Sequence, residues 1–568
     1  MYFLGLSALA HDTAAALLGD GGFLAAMEES KLTRSRNATG IPRAAIRFCL
    51  HRAGIAWSDV SAIALASRPW RLWARRTAFR ARFLATAPIS SAYYESKAVG
   101  ELAAELNNQR ILRLPSEDAR IPLLPFDHHL CHAASAFYAS SFDRALILTF
   151  DEQGGGQSGI VALSEGNKIR VVHATSLPNS LAWVYSQVTE LLGYRPHENE
   201  HKTQWLSLTS EPRYLEMFLN MIRRPGSLYP KLDSAYFTRG FSGRLAFSRA
   251  FYARLGISSP SSARLSNDVR AALASSLQRA CEIVVTDLAQ ALRKTHKTEN
   301  LCLAGGLFLN PLLVAELEKN AGFAKVFVQP AAGNEGTALG AAWLAQQKMN
   351  RSRQSQEFPH VYLGPSYPNE EIKKVLDNCK AMYRWTASDE QGIHEAVKLL
   401  GAGKIVGWFQ GAAEFGPRAL GNRSLLASPW APYVKENLND YVKHREPFRP
   451  FALSVPGEDA LKYFEAPTPA AQFMATMGRL RREHSELLSA HALPQGMVRL
   501  HVVTQEANPY YWSLLKAFGA QAPAPILLNA SFNLFGEPLV ISPRDAVRSY
   551  FCSGVDALVI GNFLLVKS

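Results

Sequence analysis

The segment from residue 411 to residue 450 carries the densest group of side chains that could bind an anion. Five of its basic residues are separated by glycine and proline, so most of them stand on loops; they are Arg418, Arg423, Lys443, Arg445 and Arg449. Several guanidinium groups converging on one pocket would stabilise the charge of a phosphoryl or acyl-phosphate group during transfer. Ordinary surface charge is the alternative, and the interleaved Phe, Gly and Pro residues favour the pocket.

Two histidines four residues apart, His128 and His132, could hold a metal ion. If residues 128–137 form one helix, both imidazoles lie on the same face and can share an ion. Asp127 directly before them could cap that helix. A structural histidine pair is an equally good interpretation of this spacing.

A second histidine motif, residues 197–201, matches the HExxH pattern of zinc proteases. That chemistry needs one long helix carrying both histidines. Here residues 193–196 (GYRP) interrupt a helix just before the motif. We therefore interpret this match as accidental.

Glycines that follow buried strands indicate a nucleotide site. The strand-like residues 145–150 lead into Asp151 and glycines 154–156, and residues 301–304 lead into Gly305 and Gly306. Asn310 then begins a predicted helix. Bare backbone N–H groups and a helix start are what phosphate binding needs, and Asp151 would orient a metal ion or a ribose-side group.

The elements that must position these residues alternate between strands and helices. Strands are predicted over 1–10, 14–18, 23–27, 61–66, 145–150, 159–163, 301–304 and 326–328, and helices over 41–53, 269–292 and 336–345. Polar residues 350–358 read as a linker, and a further α/β region follows. There a strand over 525–528 ends beside Asn529, Ser531 and Asn533, which could orient a ligand.

Composition excludes several classes of protein. The chain has 568 residues, 48% of them hydrophobic, and neither an apolar run long enough to cross a membrane nor a signal peptide is recognised. Six scattered cysteines indicate neither a disulfide scaffold nor a zinc ribbon, so a reducing cytoplasm is expected. The net charge of +13 favours polyanionic or phosphate-rich ligands, and an Arg/Trp-rich block over residues 68–82 could bind nucleic acid or a membrane surface but more readily forms a solvated helix face.

Eight segments together resemble the O-carbamoyltransferases of nodulation-factor and antibiotic biosynthesis. They are HHLCHAASAF (128–137), EHKT (200–203), LAGGLFLN (303–310), QPAAGNEGTALGAA (329–342), FQGAAEFGPRALGNRS (409–424), VKHREPFRPFA (442–452), LLNASFN (527–533) and DALVIGNFLL (556–565). Residues 68–120 and 210–265 carry no such signal.

The resemblance implies an α/β protein of two domains. Residues 1–349 would form a two-lobed, actin-like ATPase domain, and residues 359–568 an α/β domain resembling threonylcarbamoyl-AMP synthase. Carbamoyl phosphate and ATP would give carbamoyl-AMP in the second domain, and the carbamoyl group would pass to a small-molecule hydroxyl in the first. ATP is expected with Mg²⁺; nucleic acid and membranes are not expected partners, and an oligomer is left open.

The resemblance also implies roles for individual residues. The catalytic set comprises His11, Asp12, Lys443, Arg449 and Arg499; the other carbamoyl phosphate and ATP ligands are Arg418, Arg423, Arg445, Asn529, Ser531 and Asn533. Nucleotide binding in the first domain falls to Asp151, Gly154, Lys202, Gly305, Gly306, Asn310 and Glu335. A divalent ion, Fe(II) with zinc as the competitor, would be held by His128, His132 and Asn334.

Two departures from the family pattern bear on these roles. The family has an aspartate as third metal ligand where this chain has Asn334, followed by Glu335, which could replace it. After the EHK segment the family continues with a Met-Gly-Leu-Ala type loop, and this chain has residues 204–207 (QWLS). Transfer to tRNA, which the +13 charge and the Arg/Trp-rich block would suit, is kept as an alternative, as is a nucleotide-binding protein whose transfer site has decayed through Asn334. The acceptor is not specified by any motif.

Overall fold

In the computed structural model, two sheets of the same topology form the first part of the chain. The structure describes residues 1–8, 12–36, 38–68, 103, 106, 121–239, 245–256, 265–350, 358, 360–534 and 536–567. The first sheet has the order β3-β2-β1-β4-β5. Its strands are β1 (Tyr2–Ser7), β2 (Ala14–Gly19), β3 (Gly22–Glu28), β4 (Val60–Leu65) and β5 (Leu123–Pro125).

The second sheet has the order β12-β11-β6-β7-β8. Its strands are β6 (Arg144–Gly154), β7 (Gln157–Glu165), β8 (Lys168–Ser176), β11 (Asn300–Ala304) and β12 (Lys325–Val328). In both sheets three antiparallel strands come first, and two later strands are added parallel to the first one. This duplication confirms the two-lobed, actin-like architecture. A separate hairpin joins β9 (Phe237–Arg239) and β10 (Leu245–Phe247).

Helices cover both sheets. They are α1 (Glu29–Thr33), α2 (Arg43–Ala53), α3 (His128–Ala139), α4 (Leu181–Leu191), α5 (Glu200–Leu206), α6 (Leu215–Ile222), α7 (Arg249–Arg254), α8 (Asn267–His296), α9 (Pro311–Asn320) and α10 (Thr337–Asn350). Asn310 caps α9 as predicted, because its side chain accepts from two backbone N–H groups and Pro311 takes the first helical position. The predicted strands and helices of this region are confirmed within a few residues at each end.

Close packing of two helices places the histidine pair. α10 lies against both β1 and α3. A Cβ atom on Gly340 would stand 1.8 Å from the carbonyl oxygen of Cys131, so only glycine permits this approach. His132 is fully buried where α3 meets β6. The pair is therefore carried on a rigid, enclosed helix.

The second domain is built on a nine-stranded mixed sheet with the order β13-β21-β20-β14-β15-β19-β16-β18-β17. The strands are β13 (Arg384–Trp385), β14 (Val406–Phe409), β15 (Arg423–Ala427), β16 (Ala452–Pro456), β17 (Met477–Arg479), β18 (Met497–Val503), β19 (Leu527–Ser531), β20 (Ala557–Ile560) and β21 (Phe563–Val566). Helices α11 (Asn369–Asn378), α12 (Asp389–Gly401), α13 (Gly457–Tyr463), α14 (Pro509–Gly519) and α15 (Pro543–Phe551) accompany it. Its resemblance to the adenylate-forming synthase stays a prediction.

The two domains share buried polar contacts. Lys31 of α1 donates to the backbone carbonyls of Glu414 (2.9 Å) and Gly416 (2.6 Å) and pairs with Glu28 (2.8 Å). Glu28 in turn accepts from the backbone N–H of Gly416. These contacts hold the loop that carries Arg418 against the first domain. No helix among the described residues has the length and apolar character needed to cross a bilayer.

Candidate active site

The histidine pair meets a carboxylate from the neighbouring sheet. His132 Nε2 lies 3.1 Å from His128 Nε2 and 3.2 Å from Asp151 Oδ2, and His128 Nε2 lies 3.5 Å from the same oxygen. α3 supplies both histidines, and Asp151 comes from the end of β6. Asp127 immediately precedes α3, but its side chain makes no capping hydrogen bond and lies 3.3 Å from Arg68.

These three side chains fit a divalent metal ion. Ligand atoms about 2.1 Å from one ion lie roughly 3.0 Å apart when cis in an octahedral site and roughly 3.4 Å apart in a tetrahedral one. The observed separations fall at these values. Two imidazoles and one carboxylate are also a donor set typical of Fe(II). Although burial raises the pKa of Asp151, hydrogen bonds from His128 and His132 hold it well below its usual range, so the carboxylate is ionised and able to bind a cation.

Gly154 packs directly against this group. A Cβ atom at this position would stand 2.0 Å from His128 Cδ2, far inside van der Waals contact. The absence of a side chain is thus what admits the His128 ring. Gly306 lies near the other end of the group, where a Cβ atom would be 3.1 Å from Asp151 Oδ1.

A cavity of about 430 Å³ connects this group with the second domain. Every aspartate or glutamate among the described residues that line it belongs to the first domain: Asp12, Asp151, Glu152, Glu198 and Glu200. Every lysine or arginine belongs to the second: Arg418, Lys443, Arg445, Arg449 and Arg499. The cavity therefore has one acidic end beside the histidines and one basic end across the domain boundary.

The basic end contains cations that are buried and close together. Lys443 ends a π-helical segment (Asn437–Lys443) and donates to the carbonyl oxygen of Ser531 (2.7 Å) and to the side chain of Asn533. Burial, with repulsion from Arg445 and Arg449, lowers its pKa well below the usual value. Burial and Arg449 likewise lower the pKa of Arg445 to about 9. An anion bound here would relieve this repulsion.

Arg499 and Arg418 complete the basic end. Burial, Arg418, Arg445 and Arg449 together lower the pKa of Arg499 well below its usual value. Arg418 reaches into the first domain, where it donates to the carbonyl oxygen of Leu309 at 2.9 Å. Since the loops converge as the sequence predicted, a phosphate or acyl phosphate is the ligand that suits this end of the cavity.

Comparison with known proteins agrees with this architecture. Residues 2–343 match the family model described as carbamoyltransferase N-terminus, and residues 397–567 match carbamoyltransferase C-terminus. The chain belongs to the carbamoyltransferase family. An uncharacterised protein of Synechocystis is 33% identical over 100% of this chain and 97% of its own length.

Two named relatives extend the comparison. Nodulation protein NolNO of Sinorhizobium fredii is 33% identical over 98% of this chain and 79% of its own length. The 3'-hydroxymethylcephem-O-carbamoyltransferase of Amycolatopsis lactamdurans is 32% identical over 42% of this chain and 44% of its own. The enzyme described here is thus a carbamoyltransferase with both family domains in one chain.

Arg423 of this carbamoyltransferase does not line the cavity, contrary to the role predicted for it. It is fully buried, and its guanidinium donates to the backbone carbonyls of Asn422 (3.0 Å), Pro365 (3.0 Å) and Gly411 (3.1 Å) while stacking on Phe409. The alternation of side chains along β15 turns it into the core rather than toward the anion. Its charge stabilises the loop that carries Arg418.

The HExxH segment does not form a protease site. α5 begins only at Glu200, so His197 precedes the helix and pairs with Glu152 at 2.7 Å, whereas His201 lies within it. Lys202, predicted to bind nucleotide, forms an ion pair of 2.6 Å with Glu446 of the second domain. This helix therefore joins the cavity wall of one domain to the basic loop of the other.

The remaining predicted residues have mixed positions. Asp12, Asn334, Gly306 and Asn310 line the cavity, while His11 lies outside the described residues. Glu335 does not line it. Burial, with Asp12 and Glu28 nearby, raises the pKa of Glu335 to about 8. Whether Asn334 or Glu335 contributes to the metal site stays a prediction. The role of the Arg/Trp-rich block also stays a prediction, because its residues 69–82 lie outside the described part of the chain.

Sequence reasoning missed several cavity residues. Tyr185, His201 and Gln204 line the middle of the cavity, and Glu446 pairs with Lys202. Burial and four neighbouring cations (Arg449, Arg418, Lys202 and Arg499) lower the pKa of His201 well below its usual value, so its imidazole is neutral. The charged sequence around Glu446 was visible, but nothing local indicated which distant cation it would pair with.

Proposed function

We propose that the chain is an ATP-dependent O-carbamoyltransferase that makes carbamoyl-AMP in the second domain and transfers its carbamoyl group in the first. One observation carries this proposal: a single cavity has a five-cation anion pocket at one end and, at the other, Asp151 of the His/His/Asp group. An enzyme that activates a group with phosphate chemistry and then uses it elsewhere needs such a connected pair of sites.

The first half-reaction takes place at the basic end. Carbamoyl phosphate reacts with water to give carbamate and phosphate, and a carbamate oxygen then attacks the α-phosphorus of ATP with loss of pyrophosphate. Lys443, Arg449 and Arg499 bind the phosphate oxygens and stabilise the charge that builds up on them. Their crowding raises the free energy of the empty pocket, which favours anion entry. ATP enters with Mg²⁺.

The second half-reaction takes place at the acidic end. The acceptor hydroxyl oxygen forms a bond to the carbamoyl carbon, the bond from that carbon to the phosphate oxygen breaks, and AMP and one proton leave. A divalent ion held by His128, His132 and Asp151, which we assign as Fe(II), would supply a Lewis acid for the hydroxyl and carbamoyl oxygens. Asp12 and Asn334 line the same end of the cavity and are placed to orient the two reactants.

A small natural-product hydroxyl is the acceptor class we favour. The name of the cephem relative describes a carbamoyltransferase whose substrate carries a hydroxymethyl group. In this chain α4 and α5 both contribute residues to the cavity wall. We place nucleotide contacts of the first domain at Gly154, Gly305, Gly306 and Asn310, where two strands end in glycines and α9 begins.

Variants of each end separate the two half-reactions. Pyrophosphate release from ATP and carbamoyl phosphate reports the first, and carbamoylation of a panel of hydroxyl acceptors reports the second. Lys443→Ala should lose both activities, and His132→Ala should lose only the second. Transfer at the wild-type rate by His132→Ala, with its metal content unchanged, would contradict the proposed role of the histidine pair.

The metal ligands can be tested by titration with Fe(II) and, separately, zinc. Asp151→Asn and His132→Ala should each weaken binding. Tighter binding by Asn334→Asp with no effect of Glu335→Gln would assign the neutral amide as a ligand. A large loss in Glu335→Gln would assign the carboxylate instead. Unchanged metal affinity in both His132→Ala and Asp151→Asn would exclude this site.

A further inference from the structure

Asn529 stands in the centre of the nine-stranded sheet, in a fixed orientation. It lies on β19 between β15 and β16, and its side chain is 3% exposed. Its Nδ2 group lies 3.3 Å from the backbone carbonyl of Ala419, an atom that can only accept a hydrogen bond. The amide is therefore turned with its NH₂ group toward Ala419. Ser454 Oγ (3.2 Å) and His501 Nδ1 (3.3 Å) surround the same nitrogen.

This orientation leaves the carbonyl oxygen of the Asn529 side chain to face the ligand. Asn529 lines the cavity, and its Oδ1 is buried without a hydrogen-bond partner among the described residues. A buried acceptor without a partner costs free energy, so such a group is expected to find its partner in a ligand. Because an oxygen repels phosphate, that partner has to be a hydrogen-bond donor.

The register of the sheet places this oxygen beside the anion pocket. Asn529 pairs with Ala452 of β16, and Ala452 pairs with Arg499 of β18. Residues directly opposite one another on neighbouring strands point to the same face of a sheet. Arg499 and Asn529 thus flank the small side chain of Ala452, with about 10 Å between their Cα atoms by two strand spacings. Arg499 at one end of this row of three residues suits a phosphate, and Asn529 at the other end suits an N–H donor.

We propose that Asn529 Oδ1 accepts a hydrogen bond from the NH₂ group of carbamoyl phosphate and so selects this substrate over acyl phosphates that lack the amine. The inference rests on the proposed function and adds the residue that reads the carbamoyl group. Acetyl phosphate has nearly the same size and the same phosphate, but a methyl group in place of NH₂. Its binding would leave Oδ1 buried without a partner.

A second amide oxygen in the cavity supplies the rival assignment. Gln204 Oε1 of α5 is also buried without a partner among the described residues. α5 belongs to the first domain, however, whereas Asn529 shares a sheet with Arg499. The guanidinium of Arg499 also lies 6.0 Å from the ring of Trp205 on α5, so the experiment compares the two residues directly.

Calorimetry on the full chain tests the proposal with three anions: carbamoyl phosphate, acetyl phosphate and inorganic phosphate. The wild type should bind carbamoyl phosphate about tenfold more tightly than acetyl phosphate. Asn529→Leu, which keeps the branched shape of the side chain and removes the amide, should reduce this ratio to about twofold or less and leave the affinity for the other two anions within about twofold. If thermal melting shows that Asn529→Leu is unfolded, Asn529→Ser replaces it.

Other outcomes overturn the assignment. An equal loss of affinity for all three anions in Asn529→Leu would show that the residue only maintains the structure of the pocket. If the ratio of affinities for carbamoyl and acetyl phosphate were unchanged in Asn529→Leu, or were abolished by Gln204→Leu instead, another residue would recognise the NH₂ group. An ATP affinity that falls while the ratio persists would make Oδ1 a nucleotide contact. If the wild type bound inorganic phosphate but no carbamoyl phosphate, the proposed function itself would fail.

Discussion

At the scale of single residues, charge is what divides the cavity into two environments. Asp151 is ionised beside two histidines in the first domain, and Lys443, Arg445, Arg449 and Arg499 repel one another within the second. Neither group is stable in isolation without an ion of opposite charge nearby. A metal ion bound beside Asp151, or an anionic substrate bound at the basic end, therefore relieves unfavourable electrostatic interactions. This is why each end is selective for ligands of one charge.

Arg449→Ala should strongly slow adenylate formation. The guanidinium is largely buried, and burial lowers its pKa while Glu446 3.8 Å away partly offsets this. Its loss should remove about 3 to 5 kcal/mol of transition-state stabilisation, measured as carbamoyl-phosphate-dependent pyrophosphate release. The exposed Arg384, outside the cavity, gives the control Arg384→Ala, which should keep the wild-type rate. An Arg449→Ala rate equal to wild type would end the assignment.

Gly154→Ala should damage the metal site without touching a ligand. The new methyl group would stand 2.0 Å from His128 Cδ2, so either the ring or the end of β6 has to move. We expect metal affinity to fall by about tenfold or more, as for other changes that displace a ligand. Gly401→Ala is the matched control, since a Cβ atom there meets nothing within 4 Å. Equal affinities in the two variants would refute this role of Gly154.

At the scale of elements, α5 connects the two domains. Its Lys202 pairs with Glu446 at 2.6 Å, and the two side chains are only 13% and 26% exposed. His201 and Gln204 on the same helix line the cavity. A shift of α5 would thus change the cavity wall and the basic loop together, which makes this helix the element that keeps the two ends in line.

A double-mutant cycle with Lys202→Met and Glu446→Gln tests this coupling. The effect of the double variant on the activation free energy of carbamoyl transfer should differ by about 1 to 2 kcal/mol from the sum of the two single effects, because each substitution removes the same ion pair. The cycle with Lys202→Met and Glu483→Gln, an exposed and distant carboxylate, should be additive. Additive effects in the first cycle would mean that the ion pair contributes nothing to transfer, and that Lys202 acts elsewhere, for example on nucleotide.

At the scale of the whole molecule, the domain boundary contains a partly buried carboxylate. Glu318 of α9 accepts hydrogen bonds from Thr468 (2.8 Å) and Thr476 (2.5 Å) of the second domain. Burial raises the pKa of Glu318 despite these two bonds, which lower it. The folded protein therefore holds this proton more tightly than the unfolded chain does.

Because of this proton, the free energy of unfolding of the protein should fall as pH rises. Since the pKa of Glu318 is raised in the folded protein, its contribution to the free energy of unfolding is fully present below the unfolded-state pKa of about 4.3. This contribution declines as pH rises toward the folded-state pKa. Glu318→Gln carries no such proton, so its melting temperature relative to wild type should increase over this pH interval. Thermal unfolding monitored at successive pH values measures the difference. A difference independent of pH would mean that Glu318 has an ordinary pKa in the folded protein.

The sequence by itself determined what depends on near neighbours. Side chains four residues apart share a helix face, so the pairing of His128 and His132 could be predicted from spacing, and their helix is α3. Alternating and buried runs located eight strands of the two sheets in the first part of the chain, but not β5 and β8. The basic residues predicted on loops mostly line one cavity, although Arg423 begins β15 and Lys443 ends a π-helical segment.

Only the tertiary structure decided which distant segments meet. Asp151 joins the histidines because β6 ends beside α3, Arg423 turns into the core instead of the cavity, and Lys202 pairs with a residue 244 positions away. Local spacing carries no information on such pairs, since they depend on how sheets stack and which face of a strand is buried. For the same reason no motif could indicate that the acidic and the basic ends belong to one cavity.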